Sequence, residues 1–149
     1  MTAREITKFQ GWGIAVLRVV TGTIFLVRGV QKLFILDLST VADFLARFGS
    51  PLPFAVAAVV AVVELACGAA LVLGFRTRWV SVPLALGMLV DVLLIHGPQG
   101  FSVQQGGYEY ALLRLAATVA LVFAGPGKMA LDNILASRRR SKHRSSQRA

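Results

Sequence analysis

The stretch FLVRGVQKLF, Phe25 to Phe34, sets Arg28, Gln31 and Lys32 at helical spacing at the end of a long apolar run. Other ionisable residues recur in equally apolar surroundings: Glu64 in AVVELACG, Asp91 and His96 in LVDVLLIHG, Glu109 and Arg114 in YEYALLRLAA. Guanidinium, ammonium and amide groups donate hydrogen bonds to the oxygens of a carbonyl or oxyanion, and carboxylates within reach of such a ligand can take up and release its protons. Glu64 and Glu109 are therefore the candidate proton acceptors. Arg28, Gln31, Lys32, Asp91, His96 and Arg114 are the candidate ligand-binding residues.

Each has a plainer alternative. Lys32 can snorkel to lipid headgroups, His96 can simply end a helix ahead of Gly97 and Pro98, and Glu64 with Arg114 can form a purely structural ion pair. Cys67, the one cysteine, excludes disulfides and CxxC pairs within a chain and reads as a small packing residue. There is no haem histidine pair at bundle spacing, no cysteine cluster and no GxGxxG, so no motif for haem, flavin or metal is present. The residues assign no cofactor; converging polar groups between apolar walls leave room for a quinone headgroup.

The elements that must position these residues are legible from hydropathy. Of the 149 residues, 56% are hydrophobic, with mean hydropathy +0.68, above the roughly 45–50% apolar content of soluble domains. Four apolar runs stand out, over 12–34, 53–75, 79–97 and 108–125. Each has about the 20 residues that a helix needs to cross ~30 Å of hydrocarbon. In lipid the backbone must satisfy its own hydrogen bonds, so helices are expected. The expected fold is all-α, a four-helix transmembrane bundle occupying 12–132. Residues 1–11 form a cytoplasmic N-terminus and 133–149 a basic, disordered cytoplasmic tail. No cleavable signal peptide is expected, because the first apolar run is too long and lacks a small-residue cleavage site.

Charge gives the orientation. Arg4, Lys8, Arg76, Arg78, Lys128 and the six Lys/Arg of the segment from Ser137 fall on one side, while the other two loops hold only Arg47 with Asp37 and Asp43. The positive-inside rule puts both termini in the cytoplasm of a cell-membrane protein. The tail would attract anionic lipids; without interleaved aromatics, and following four spans, it is not read as a nucleic-acid arm. In the first outer loop, STVADFLARFGSP offers Thr40 as a cap, an apolar side of Val41, Phe44, Leu45 and Phe48, and a stop at Gly49 and Pro51. That predicts a short amphipathic helix, lying on the membrane surface or packed as a lid over the bundle.

Around the first helix, Arg18, Thr21, Gly22, Phe25, Arg28, Gly29 and Lys32 share an arc of about 120°. Glu64 shares its face with Ala57, Ala61, Cys67 and Gly68, and Arg114 with Tyr110, Ala117 and Thr118. Small residues let helices approach closely in a bilayer, so these charges should face protein. Arg18 and Arg114 are the expected partners of Glu64. The outer half of the bundle gathers Arg28, Lys32 and Arg114 beside Asp91 and Glu109.

The segments LRVVTGTIFLVRGVQKLF, ELACGAALVLGFRTR, HGPQGF and GGYEYALLRLAATVALVFAGPGKMALD, in this order, resemble the DoxX family of small four-helix bacterial membrane proteins. The resemblance runs from Leu17 to Asp132. Its most specific pieces are Glu64 with Gly68, Gly74 and Thr77, and Gly125-Pro126-Gly127 with Leu131-Asp132. Relatives often carry a histidine where this chain has Arg28, which speaks against histidine-dependent chemistry there. The family is named for a subunit associated with a thiosulfate:quinone oxidoreductase, and some members are linked to membrane-bound assemblies that handle thiol or oxidative stress. The resemblance thus implies a membrane subunit of a quinone- or thiol-linked oxidoreductase assembly with soluble or membrane redox partner proteins. A non-catalytic scaffold for a soluble redox enzyme is the alternative, and a small transporter, which would need a homo-oligomer to enclose a pore, ranks third.

Overall fold

The computed structural model describes residues 3–35, 38–47, 49–135 and 137. The tail expected as disordered over 133–149 is helical at 133–135, and beyond 137 it lies outside these residues, as do Asp37 and Phe48. The described residues form helices joined by turns, with no strands among them. Helix α1 spans Ala3–Val30 and continues into a π-helical turn, Gln31–Ile35. Helix α2 covers Leu38–Arg47 and α3 covers Pro53–Leu73. Helix α4, Thr77–Val90, runs into a second π-helical turn, Asp91–His96, and then a 3₁₀ turn, Gly97–Gln99. A loop with another 3₁₀ turn, Val103–Gln105, leads into α5, Glu109–Ala124.

Local chemistry explains the boundaries of α3. Proline opens it, where its missing N–H costs nothing. Gly74 closes it in the left-handed region at φ 71°. The Gly74 N–H bonds to the Leu71 carbonyl at 3.0 Å and the Phe75 N–H to the Ala70 carbonyl at 2.9 Å, a Schellman ending. The tight turn that follows leaves α3 and α4 antiparallel neighbours.

Helix α1 packs most extensively on α3, and α4 on α5; contacts of α3 with α4 and of α1 with α5 close the ring. Phe25, Leu71, Leu84, Met88 and Leu121 form the apolar centre. Around it the usual distribution is inverted. Arg18, Glu64 and Arg114 are buried, as are Thr21, Thr77, Ser81 and Thr118, while Val16, Val59, Val62, Leu86, Leu93 and Phe123 are exposed. Water would penalise so much exposed aliphatic surface; a bilayer requires it. This is a membrane protein.

Among the described residues, the stretches Phe9–Ile35, Pro53–Leu73 and Thr77–Gln99 are long and apolar enough to cross a bilayer. The run expected as a span over 108–125 folds as the 16-residue helix α5, about 24 Å long and short of a ~30 Å hydrocarbon layer. The preceding loop satisfies N–H groups that the helix start leaves open: those of Tyr108, the N-cap, and Glu109 bond to the carbonyls of Gly100 and Phe101, both at 3.0 Å. The amphipathic helix expected between the first two spans is α2. It begins at Leu38, so Thr40 lies inside it and is not its cap. It packs along α3 with Ala42 buried.

Candidate functional site

The crossing of α1 and α3 sets the geometry of the site. A Cβ on Gly29 would lie 2.6 Å from the Leu65 backbone nitrogen, and one on Gly68 would lie 2.9 Å from the Leu26 Cα. Only glycine allows the two backbones this approach. Lys32 lies about one turn beyond Gly29, and Glu64 immediately precedes Leu65. The crossing and the π turn together bring Lys32 Nζ to 2.7 Å from Glu64 Oε2. Glu64 is 5% exposed and Lys32 20%, so this is a shielded ion pair reached from one side.

The second π turn builds the other half. Widening to i→i+5 bonding stacks Asp91 and His96 on one side of the chain, with His96 Nδ1 3.0 Å from Asp91 Oδ1. The other Asp91 oxygen accepts a hydrogen bond from Arg114 Nη2 on α5 at 3.1 Å. The Arg114 guanidinium lies 4.7 Å over the Tyr110 ring, one helical turn back on the same face. Arg114 Nε is buried without a hydrogen-bond partner among the described residues. Arg28 and Glu64 both lie close enough to Arg114 to act on it electrostatically. Lys32–Glu64 and Arg114–Asp91–His96 therefore form adjoining parts of one polar cluster.

Beside this cluster a groove of about 380 Å³ runs between α1 and α5, lined by Thr23, Ile24, Val27, Arg28, Gln31 and Tyr110. Arg28 and Gln31 line it toward the Lys32 end, and Val27, Ile24 and Thr23 continue the lining back along α1, with Val27 exposed. Glu109 stands apart. It is exposed, and its Oε2 accepts the Val103 N–H at 3.2 Å, tying down the loop before α5. Phe101 packs edge-on against Tyr108 in the same loop. Among the described residues no three His, Cys, Asp or Glu side chains converge as a metal centre needs.

The expectation that Arg18 and Arg114 pair with Glu64 is corrected. Arg18 lies about 21 Å along α1 from Lys32. There its Nη1 donates to the Pro126 carbonyl at 2.7 Å and its Nη2 to that of Met129 at 3.3 Å. Arg114 is engaged by Asp91, which the neighbouring α4 delivers. At the Arg18 end, Asp132 accepts the Arg76 and Thr77 N–H groups at 2.8 and 3.2 Å, and its own N–H bonds to the Gly74 carbonyl. The Lys128 N–H bonds to the Gly11 carbonyl at 3.0 Å, and its ammonium sits over the Trp12 ring. The motif residues Gly74, Thr77, Gly125–Gly127 and Asp132 are thus a clasp that ties the segment after α5 across the ends of α1, α3 and α4. Sequence reasoning did not assign Tyr110 to the groove; its four-residue spacing from Arg114 was the available signal.

The family model described as DoxX matches residues 13–97. An uncharacterized membrane protein of Mycobacterium tuberculosis is 32% identical over 132 residues, covering 82% of this chain and 80% of that protein. A Bacillus subtilis protein named "Putative oxidoreductase CatD" is 32% identical over 120 residues, 80% of this chain and 84% of its own. An uncharacterized protein of Haemophilus influenzae is 30% identical over 133 residues, 87% of this chain and 95% of its own. No solved structure matches the chain.

Proposed function

Because the chain belongs to the DoxX family of membrane proteins, we propose that it is an integral membrane subunit of a quinone- or thiol-linked oxidoreductase assembly. The observation that carries this reading is the ionisable cluster, Lys32–Glu64 with Arg114–Asp91–His96, beside a groove that opens between helices. Charges inside a bilayer cost several kcal/mol unless paired, so a cluster of them within the spans is read first as a functional site. The name of the Bacillus subtilis relative points the same way.

In this reading the groove admits a quinone headgroup from the lipid side. Arg28 and Gln31 line the groove and donate to the quinone carbonyls; Lys32 and Arg114 lie next to them in the cluster. Glu64, whose Oε2 meets Lys32 Nζ at 2.7 Å, is the proton acceptor in this reading. Quinone supplies the two-electron, two-proton chemistry, and the electrons come from a thiol or a redox partner protein, since the chain carries no redox-centre motif. We place four spans in the cell membrane, α5 being the short fourth, with both termini in the cytoplasm and the basic tail against anionic lipids.

The experiment is titration of the purified protein with short-chain ubiquinone and menaquinone analogues, wild type against Glu64→Gln, reading binding and thiol-driven reduction. Binding that Glu64→Gln weakens supports the proposal. Absence of both activities, or an unchanged variant, rejects it in favour of a membrane scaffold. The clasp at the Arg18 end favours that second reading, because it fixes where the tail leaves the bundle and would hold it for a soluble enzyme. Deleting residues 137–149 should then release a partner in pull-down.

A further inference from the structure

The polar cluster is not electrically balanced. Its permanent cations are Arg28, Lys32 and Arg114, and its acids are Glu64 and Asp91. Glu64 is engaged by Lys32, and Asp91 by Arg114 and His96. Arg28 has no hydrogen bond or ion pair among the described residues, and its one described electrostatic neighbour is another cation, Arg114. It lies in the last turn of α1, half-buried, on the wall of the groove.

A cation held in apolar surroundings beside a like charge needs a counterion. The groove supplies the place for one. At about 380 Å³ it is large enough for a small headgroup. Arg28 and Gln31 offer donors toward the Lys32 end, Tyr110 lines the α5 side, and Ile24 and Val27 offer an acyl chain apolar contacts along α1.

We propose that this groove is a binding site for an anionic phospholipid, whose headgroup phosphate pairs with Arg28 while its acyl chain lies along Ile24 and Val27. The site goes beyond the redox reading; a quinone entering by the same groove displaces the lipid headgroup. Bound lipid would join α1 to α5, the pair whose direct packing is the slightest in the ring.

The test is native mass spectrometry of the full chain in neutral detergent. Phosphatidylglycerol and phosphatidylcholine of identical acyl chains are added separately at high salt, which screens the charges of the tail. Wild type should retain one phosphatidylglycerol more strongly than phosphatidylcholine, whose phosphate is shared but whose choline cation would sit near Arg28 and Arg114. Arg28→Gln should weaken retention about tenfold, the size expected for loss of a charge-assisted bond. Arg28→Lys should fall between them, and Arg78→Gln, at the opposite end of the bundle, should match wild type. Equal retention of the two lipids overturns the proposal, and the wild-type comparison stands even if Arg28→Gln fails to fold. Unchanged retention by a folded Arg28→Gln overturns it, as does thermal stabilisation by inorganic phosphate equal to that by phosphatidylglycerol. Retention of a neutral ubiquinone analogue by a protein that retains no phosphatidylglycerol also overturns it, while leaving the redox reading standing.

Discussion

Lys32 Nζ and Glu64 Oε2 meet at 2.7 Å across the α1–α3 crossing, one turn from the point where Gly29 brings the two backbones into contact. The pair depends on the glycine, and the rest of the polar cluster is assembled around it.

Breaking this pair should cost more than removing it. Glu64→Gln leaves Lys32 facing a shielded site without its counter-charge, a loss of about 3 kcal/mol by analogy with other buried pairs. Lys32→Gln should cost at least as much, since it strands Glu64, the more buried of the two charges. The double variant should recover part of the loss. Thermal or denaturant unfolding in detergent micelles measures the cycle; additive losses would mean that the two charges do not interact.

Gly29→Ala should be damaging out of proportion to its size. The added methyl would overlap the Leu65 backbone, and backbone cannot yield as a side-chain end can, so a loss of about 1–3 kcal/mol is expected. Gly13→Ala on the same helix meets nothing within 4 Å and should be neutral or slightly stabilising. Equal melting temperatures for the two variants would contradict the close crossing.

Asp132→Ala should loosen the clasp. The Arg76 and Thr77 N–H groups at the start of α4 lose their acceptor, a cap worth about 1 kcal/mol. Trypsin should then cleave after Lys128 faster than in wild type, with little change in cleavage at Arg47. An unchanged pattern would mean that the segment after α5 is held by other contacts.

Orientation can be read with fusions. A green fluorescent protein joined after Ala149 should fluoresce, and alkaline phosphatase there should be inactive; after Gln104 the phosphatase should be active. Active phosphatase at both positions would mean that α5 does not cross and that the chain has three spans.

The sequence carries the helices well and their ends unevenly. The three long spans follow from apolar runs, and α2 from its amphipathic pattern. The ends of α5 follow too, within one residue of the apolar run, with Tyr108 and Gly125 as its caps. The π turns at Gln31–Ile35 and Asp91–His96 are invisible to a 3.6-residue period, yet they aim Lys32 and pair Asp91 with His96. The partner of Glu64 is set by which helices cross and where, which no single helix encodes. The Gly74–Thr77 and Gly125–Asp132 motifs are conspicuous as patterns, but only the fold joins them into one clasp.

The central claim is that a ligand from the membrane reaches the polar cluster through the α1–α5 groove. A photoreactive quinone analogue, irradiated with the protein in phosphatidylcholine nanodiscs and mapped by peptide mass spectrometry, tests it most directly. Labels should concentrate on Thr23, Ile24, Val27 and Tyr110 and be displaced by excess unlabelled quinone. Labels spread evenly over exposed residues such as Val59, Leu86 and Phe123, without displacement, would contradict it.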